Sequence, residues 1–101
     1  MDVYEIRFAR DVLRDLKKLR AYHRRRVLDA IAIQLRNEPT RPTRNGKLLV
    51  NLIPPWDAEP PIWELRVGDY RVFYDVSERE AVVYIRAIRQ KPPERMTEEI
   101  L

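Results

Sequence analysis

Cysteine is absent from this chain, which excludes disulfides, thiolate metal sites and a cysteine nucleophile, and is compatible with a reducing compartment. Histidine occurs once, at His23, so a ribonuclease mechanism with one histidine as base and another as acid is excluded. A lone histidine at the start of a surface helix is ordinarily structural or solvated. Glycine occurs only at Gly46 and Gly68, and no glycine-rich phosphate loop, Ser-His-Asp set or metal-ligand spacing is present. No apolar run approaches a membrane span, and the stretch from Met1 to Glu5 lacks the basic and apolar regions of an export signal. Together these absences predict a soluble cytoplasmic protein with no membrane partner, no metal and no cofactor.

Positive charge is plentiful. Lysine and arginine number 20 against 16 acidic residues, for a net charge of +4 and a pI near 9.7, and most of the cations are arginine. Planar guanidinium groups pair bidentately with phosphates and carboxylates, which favours nucleic acid or an acidic protein as partner over a neutral small molecule. The 101 residues suffice for one modest core, so residues 1–101 are read as a single domain.

Alternation of Tyr4, Ile6 and Phe8 with Val3, Glu5 and Arg7 predicts a first strand over 3–8. Val12, Leu13, Leu16 and Leu19 recur at helical spacing from Arg10 to Arg20, with Asp11 in the first turn where the helix dipole favours an anion. A second helix is expected from about His23, with Leu28, Ile31, Ala32 and Leu35 as its apolar stripe and Pro39 beyond its end. Pro54, Pro55, Pro60 and Pro61 surround Trp56 in an irregular loop between a short strand at 47–50 and another starting at Ile62. Trp56 is read either as a cap on the core or as a partner contact. A strand is expected over 81–88, and Thr97 with Glu98 and Glu99 starts at most a small helical tail.

The centre of the chain is the segment from Trp63 to Val76, two alternating strands joined by Gly68-Asp69. Glycine first in a two-residue loop accepts positive φ and suits a type II′ turn, which sets the register. Period two puts Trp63, Leu65, Val67, Tyr70, Val72, Tyr74 and Val76 inward, leaving Glu64, Arg66, Arg71, Phe73 and Asp75 outward. On the last strand, Val83, Ile85 and Ala87 are expected inward, with Tyr84, Arg86 and Ile88 joining the outward arginines. The fold class is α+β in β-α-α-β-β-β order, an antiparallel sheet with a helical hairpin on one face.

Cleavage of RNA by its own 2′-hydroxyl needs a base, cations around the pentacovalent phosphate and an acid for the departing oxygen. Glu64 beside Arg66 and Arg71 is a candidate base, or else half of a cross-strand ion pair. Arg71 is suited to hold a phosphate through two parallel hydrogen bonds. Phe73 and Tyr84 are candidates for stacking on bases, or for ordinary packing. Lys47, Arg41 and Arg44 flank the loops and suit phosphate steering or plain solubility. The run Arg24-Arg25-Arg26 fans around its helix and is read as a solvated face, or as one that touches ribosomal RNA phosphates.

The order of these pieces resembles the RelE/ParE superfamily, the toxins of type II toxin-antitoxin modules. The resemblance rests on the opening strand and helical hairpin, Lys47-Leu48, Trp63-Glu64-Leu65-Arg66, Gly68-Asp69-Tyr70-Arg71-Val72-Phe73-Tyr74, and the closing strand from Val82 to Arg89. It implies a microbial-RNase-like sheet and a small basic toxin neutralised by a cognate, acidic antitoxin encoded beside it. In the RelE branch it implies ribosome-dependent mRNA cleavage, with the active-site arginine at Arg71 and a second cation near Lys91, Arg89 and Arg95 as neighbours. The RNA-binding surface is then expected to include Lys47, Arg66, Phe73, Tyr84, Arg86, Arg89 and Arg95. That branch usually carries lysine where this chain has Glu64, and a C-terminal tyrosine that this chain lacks. Alternatives are the ParE branch, whose target is DNA gyrase, and a non-catalytic or attenuated module on the same fold.

Overall fold

Apolar residues four apart on two consecutive helices make a stripe that must be buried against something, and here that something is a five-stranded sheet. A computed structural model describes residues 3–101. The order is β1 (Glu5–Phe8), α1 (Arg10–Lys18), α2 (Ala21–Leu35), β2 (Gly46–Leu49), β3 (Ile62–Val67), β4 (Tyr70–Ser77), β5 (Val82–Gln90) and α3 (Thr97–Ile100). Val12 and Leu16 of α1 and Val27, Ile31 and Leu35 of α2 pack on Trp63, Leu65, Val67, Val72, Tyr74, Val83, Ile85 and Ile88. The buried row of α2 is thus rotated from the expected one. Val27 takes the buried position, Ala32 is exposed and Leu28 sits at the margin; Leu13 of α1 is also exposed. A broad apolar face admits either i, i+4 row, and contact with the sheet selects one.

No serine, threonine, aspartate or asparagine caps either of these helices. The end of α1 is closed instead by Arg24, whose Nε donates to the Leu16 carbonyl at 3.0 Å and whose Nη2 donates to Leu19 at 2.9 Å. These bonds satisfy carbonyls left open at a helix C-terminus and tie the two helices together. Arg24 is therefore structural rather than part of a solvated run. Arg26 lies over the β3–β4 turn, where a Cβ on Gly68 would stand 2.8 Å from its Nη1.

Strands β2 to β5 form an antiparallel sheet, and β1 adds to the outer edge of β5 in parallel, giving the order β1-β5-β4-β3-β2. Val67 and Tyr70 flank the turn, with φ +59° at Gly68 and no positive φ at Asp69, as a type II′ turn requires. Between β4 and β5 the register slips. Phe73 pairs with Ala87 but Tyr74 pairs with Ile85, so Arg86 is an extra residue in the ladder. The expected alternation of β5 holds through Ile85 and then inverts, with Ala87 on the face of Phe73 and Ile88 in the helix-side core.

The face away from the helices is not open. Ile62, Glu64, Phe73, Asp75, Val82 and Ala87 are buried. Trp56 lies on Phe73 with ring centroids 5.6 Å apart, and the Glu59 N–H donates to Asp75 Oδ2 at 3.0 Å, so the proline-bearing loop folds over part of this face. No helix among the described residues is long and apolar enough to cross a membrane.

Tyr74 is buried, and its hydroxyl donates to the Pro39 carbonyl at 2.7 Å, fastening the loop after α2 to the sheet. Burial raises its pKa above the ordinary tyrosine range. A group whose folded pKa is raised contributes stability present below its unfolded pKa, near 10, and lost as pH rises beyond it. Tyr74→Phe is expected to cost about 1–2 kcal/mol near pH 7, because the buried Pro39 carbonyl loses its donor. Above about pH 10 that deficit should shrink, since the mutant escapes the alkaline penalty. Urea unfolding at both pH values checks this; a deficit that grows at high pH would contradict it.

Candidate anion-binding site

Cross-strand register decides which charged residues meet. Lys47 on β2 is opposite Glu64 on β3, Arg66 is opposite Arg71 on β4, and Arg71 is opposite Arg89 on β5. Residues directly opposite share a face, so three arginines lie in one row. Like charges so placed repel, and a sheet tolerates them only with counter-charge or hydrogen-bond acceptors nearby. Arg89 is relieved by Asp15 of α1, with Nη1 and Oδ2 at 3.0 Å. Arg71 folds back on the turn, its Nη1 donating to the carbonyls of Gly68 at 2.8 Å and Tyr70 at 2.9 Å. Its Nε lies 3.9 Å from Glu64 Oε1.

Glu64 is the one acidic residue lining this site, and it is buried, with a side chain only 5% exposed. Its Oε1 lies 3.6 Å from Lys47 Nζ, and its Oε2 accepts the Thr97 hydroxyl at 2.9 Å. Around it opens a pocket of about 300 Å³ lined by Arg44, Asn45, Lys47, Glu64, Arg66, Arg71, Lys91 and Thr97. Five cations thus surround one carboxylate. Among the described residues, Arg44, Arg66 and Lys91 form no ion pair, which leaves their charge available to a ligand. Lys91 is placed by its backbone, whose N–H donates to the Asp69 carbonyl at 2.6 Å and brings the end of β5 against the turn. The segment bearing Thr97 is held by Glu99, whose Oε1 accepts the Met96 N–H at 3.0 Å and whose Oε2 accepts Arg95 Nη1 at 3.1 Å. The Met96 bond, then Arg95, lower the Glu99 pKa. This fastening is present above the ordinary carboxylate range and lost as pH falls through the lowered value.

Of the residues expected from sequence, Arg71, Glu64, Lys91, Lys47, Arg66 and Arg44 come together here. The others do not. Phe73 is fully buried beneath Trp56 and has no face free for a base. Arg86 pairs with buried Asp75, at 2.6 Å from Nε to Oδ2, and its guanidinium lies 4.8 Å from the centre of the Tyr84 ring. Both line a different hollow, with Glu59, Ser77 and Glu80. Arg89 leans to Asp15, and Arg95 is exposed on Glu99. Arg44 enters from the loop before β2, and Thr97 completes the pocket from the C-terminal tail. Nothing in the spacing of Thr97 signals a contact with Glu64, 33 positions earlier.

A family model described as the ParE toxin of type II toxin-antitoxin systems matches residues 6–91. Among solved structures, the chain is similar to the archaeal RelE-RelB complex of Pyrococcus horikoshii, at 28% identity and TM-score 0.69, over 93% of this chain and 99% of that one. It is similar to the RelBE2 toxin-antitoxin complex of Mycobacterium tuberculosis at 26% identity and TM-score 0.72, over 90% and 94% of the two chains. The isolated E. coli RelE toxin, at 21% identity and TM-score 0.67 over 93% and 88%, shares the fold. No curated protein sequence matches the chain.

If the pocket takes an anion, inorganic phosphate should raise the melting temperature more than chloride at equal ionic strength. At a hundredfold excess over Kd the linkage is about 2.7 kcal/mol, equivalent to roughly 11–22 °C in a domain of this size. Arg66→Gln with Lys91→Gln should abolish the increment and leave the fold intact, since both side chains lack internal partners. Arg71→Ala should also lower stability without phosphate, because its side chain is only 11% exposed and bonds the turn. Equal responses to phosphate and chloride in the parent chain would rule out the anion site.

Proposed function

The chain belongs to the ParE toxin family of type II toxin-antitoxin systems, within the RelE/ParE superfamily, and from that premise we propose that it arrests translation by cleaving mRNA on the ribosome. The observation that carries this reading is the convergence of Arg44, Lys47, Arg66, Arg71 and Lys91 around buried Glu64 in one concave pocket. Membership implies a cognate antitoxin as partner. The ribosome and its mRNA are the partners of the proposed activity, and they put the site of action in the cytoplasm.

In the proposed reaction the scissile phosphate sits among Arg66, Arg71 and Lys91. Glu64 takes the proton of the adjacent 2′-hydroxyl as the 2′-oxygen bonds to phosphorus. The bond from phosphorus to the 5′-oxygen breaks, and Lys91 supplies the proton to that leaving oxygen. The products are a 2′,3′-cyclic phosphate and a 5′-hydroxyl, with no cofactor. Guanidinium groups stabilise the charge that builds on the pentacovalent phosphate. Dependence on the ribosome is supported by the pocket lining, which among the described residues carries no aromatic side chain. Single-strand binders position RNA on aromatic platforms, whereas Phe73 is buried and Tyr84 is engaged by Arg86. Presentation of the strand then falls to the ribosome.

The match to a ParE toxin family favours a second reading, inhibition of DNA gyrase, the target that resemblance to the ParE branch implies. The two are separated by incubating purified toxin with mRNA, with and without ribosomes, beside a gyrase supercoiling assay. Cleavage that requires ribosomes is expected, with supercoiling untouched. Arg71→Lys should lower the cleavage rate by about 10²-fold, because one ammonium cannot hold the two turn carbonyls and face the phosphate at once as a guanidinium can. Intact mRNA together with blocked supercoiling would replace the first reading with the second.

A further inference from the structure

The carboxylate offered as the base in the cleavage reading is almost sealed from solvent, and the group that holds it comes from the end of the chain. Glu64 Oε1 faces the cations Lys47 and Arg71, while Oε2 accepts the hydroxyl of Thr97. We propose that Thr97 is a positioning residue for Glu64, setting the orientation of the carboxylate within the pocket. The inference rests on the cleavage reading and deepens it.

Three observations carry it. First, the two Glu64 oxygens are differently engaged, with both ion-pair contacts on one and the neutral hydroxyl on the other. Without the hydroxyl, the carboxylate is free to turn about its terminal torsion toward Lys47 and Arg71, closing both oxygens into ion pairs. A carboxylate turned in that way aims its remaining lone pairs away from the direction they take in the structure, and so away from a 2′-hydroxyl placed there. Second, a hydroxyl both donates and accepts. Thr97 can donate to Glu64 while it is ionised and accept from it once it has taken the proton, so one contact serves both states. An ammonium or guanidinium in the same place can only donate, and has no lone pair to accept a bond from the protonated acid. Third, Thr97 is itself fixed. It opens α3, whose first turn is bonded between Met96 and Glu99 and flanked by the Arg95 ion pair. The charged groups facing Glu64 and its pocket from every packed element are Lys47 on β2, Arg66 on β3, Arg71 on β4, Lys91 after β5 and Arg44 before β2. The pocket has two neutral donors, Asn45 and Thr97, and among the described residues it is Thr97 that bonds the carboxylate.

The test compares Thr97→Val, which keeps the shape and removes the hydroxyl, with Thr97→Ser, which keeps the hydroxyl. Ribosome-dependent cleavage is measured for kcat and KM, and the Glu64 side-chain carboxyl carbon is followed by NMR at fixed pH. Valine is expected to lower kcat roughly ten- to a hundredfold with KM nearly unchanged, the pattern of an interaction needed in the transition state. Serine should restore most of the rate, and the Glu64 resonance should move in the valine variant only. Valine with parental kcat, or an unmoved Glu64 resonance, overturns the inference. If the parental chain cleaves no RNA, the cleavage reading falls and takes the catalytic sense of the inference with it. A Glu64 resonance displaced by valine alone would then mark Thr97 as a purely structural partner, so the two failures are told apart.

Discussion

Arg86 stands at the one place where β5 carries a residue that β4 does not match, and its ion pair with Asp75 pins that irregularity in place. Everything downstream on β5 takes its face from this slip. Had the alternation continued, Ile88 would have pointed away from the helices and Arg89 into them. With the slip, Ile88 closes the core under α1 and Arg89 joins the row of Arg66 and Arg71. The pair that holds it is nearly enclosed, since Asp75 is 1% exposed and takes a further bond from the Glu59 backbone. Breaking such a pair by removing one partner typically costs about 3–5 kcal/mol, because a buried charge is left uncompensated. The same residues fasten the proline-bearing loop over Phe73, so the slip, the loop and the back face are one unit.

The site has the opposite energetic character. Opposed arginines and a buried carboxylate are choices that a sheet selected for stability alone would not make. Glu64 offsets part of the repulsion, the turn carbonyls absorb part of Arg71, and Asp15 removes Arg89 from the competition. What is left unpaired among the described residues, at Arg44, Arg66 and Lys91, is cationic charge concentrated in a concavity. A phosphate entering it would meet groups already aligned by strand register and by the bond between Lys91 and Asp69. Preorganisation of that kind is what electrostatic stabilisation of a developing negative charge requires.

Local rules made most of the fold legible in the sequence. The Gly68-Asp69 turn set the pairing of β3 and β4, and that pairing alone aligned Arg66 with Arg71. Period two correctly put Leu65, Val72, Val83 and Ile85 inward. The readings that failed were those needing knowledge of distant segments. No composition signal marks Arg86 as an extra residue, so the faces after it were inverted. Phe73, Glu64 and Asp75 alternate as exposed residues should, and are buried only because residues 51–61 and the C-terminal tail fold over them. Arg24 reads as one of three equivalent arginines until the end of α1 is placed beside it. Thr97 was invisible for the same reason, its partner being determined by tertiary structure alone.

The parallel pairing of β1 with β5 bears on how the molecule comes into being. Antiparallel neighbours β3, β4 and β5 can zip from short turns, but Glu5 meets Val82 only after nearly the whole intervening chain has been laid down. Contacts of such sequence separation are formed late and slow folding, because the entropy of closing the long loop is lost before any pairing compensates it. Until then Ile6 and Phe8 have no sheet to pack on, and the outer edge of β5 keeps its unpaired backbone. A chain in which β1 has not docked would expose an apolar strand and an open sheet edge, the features on which aggregation and proteolysis act.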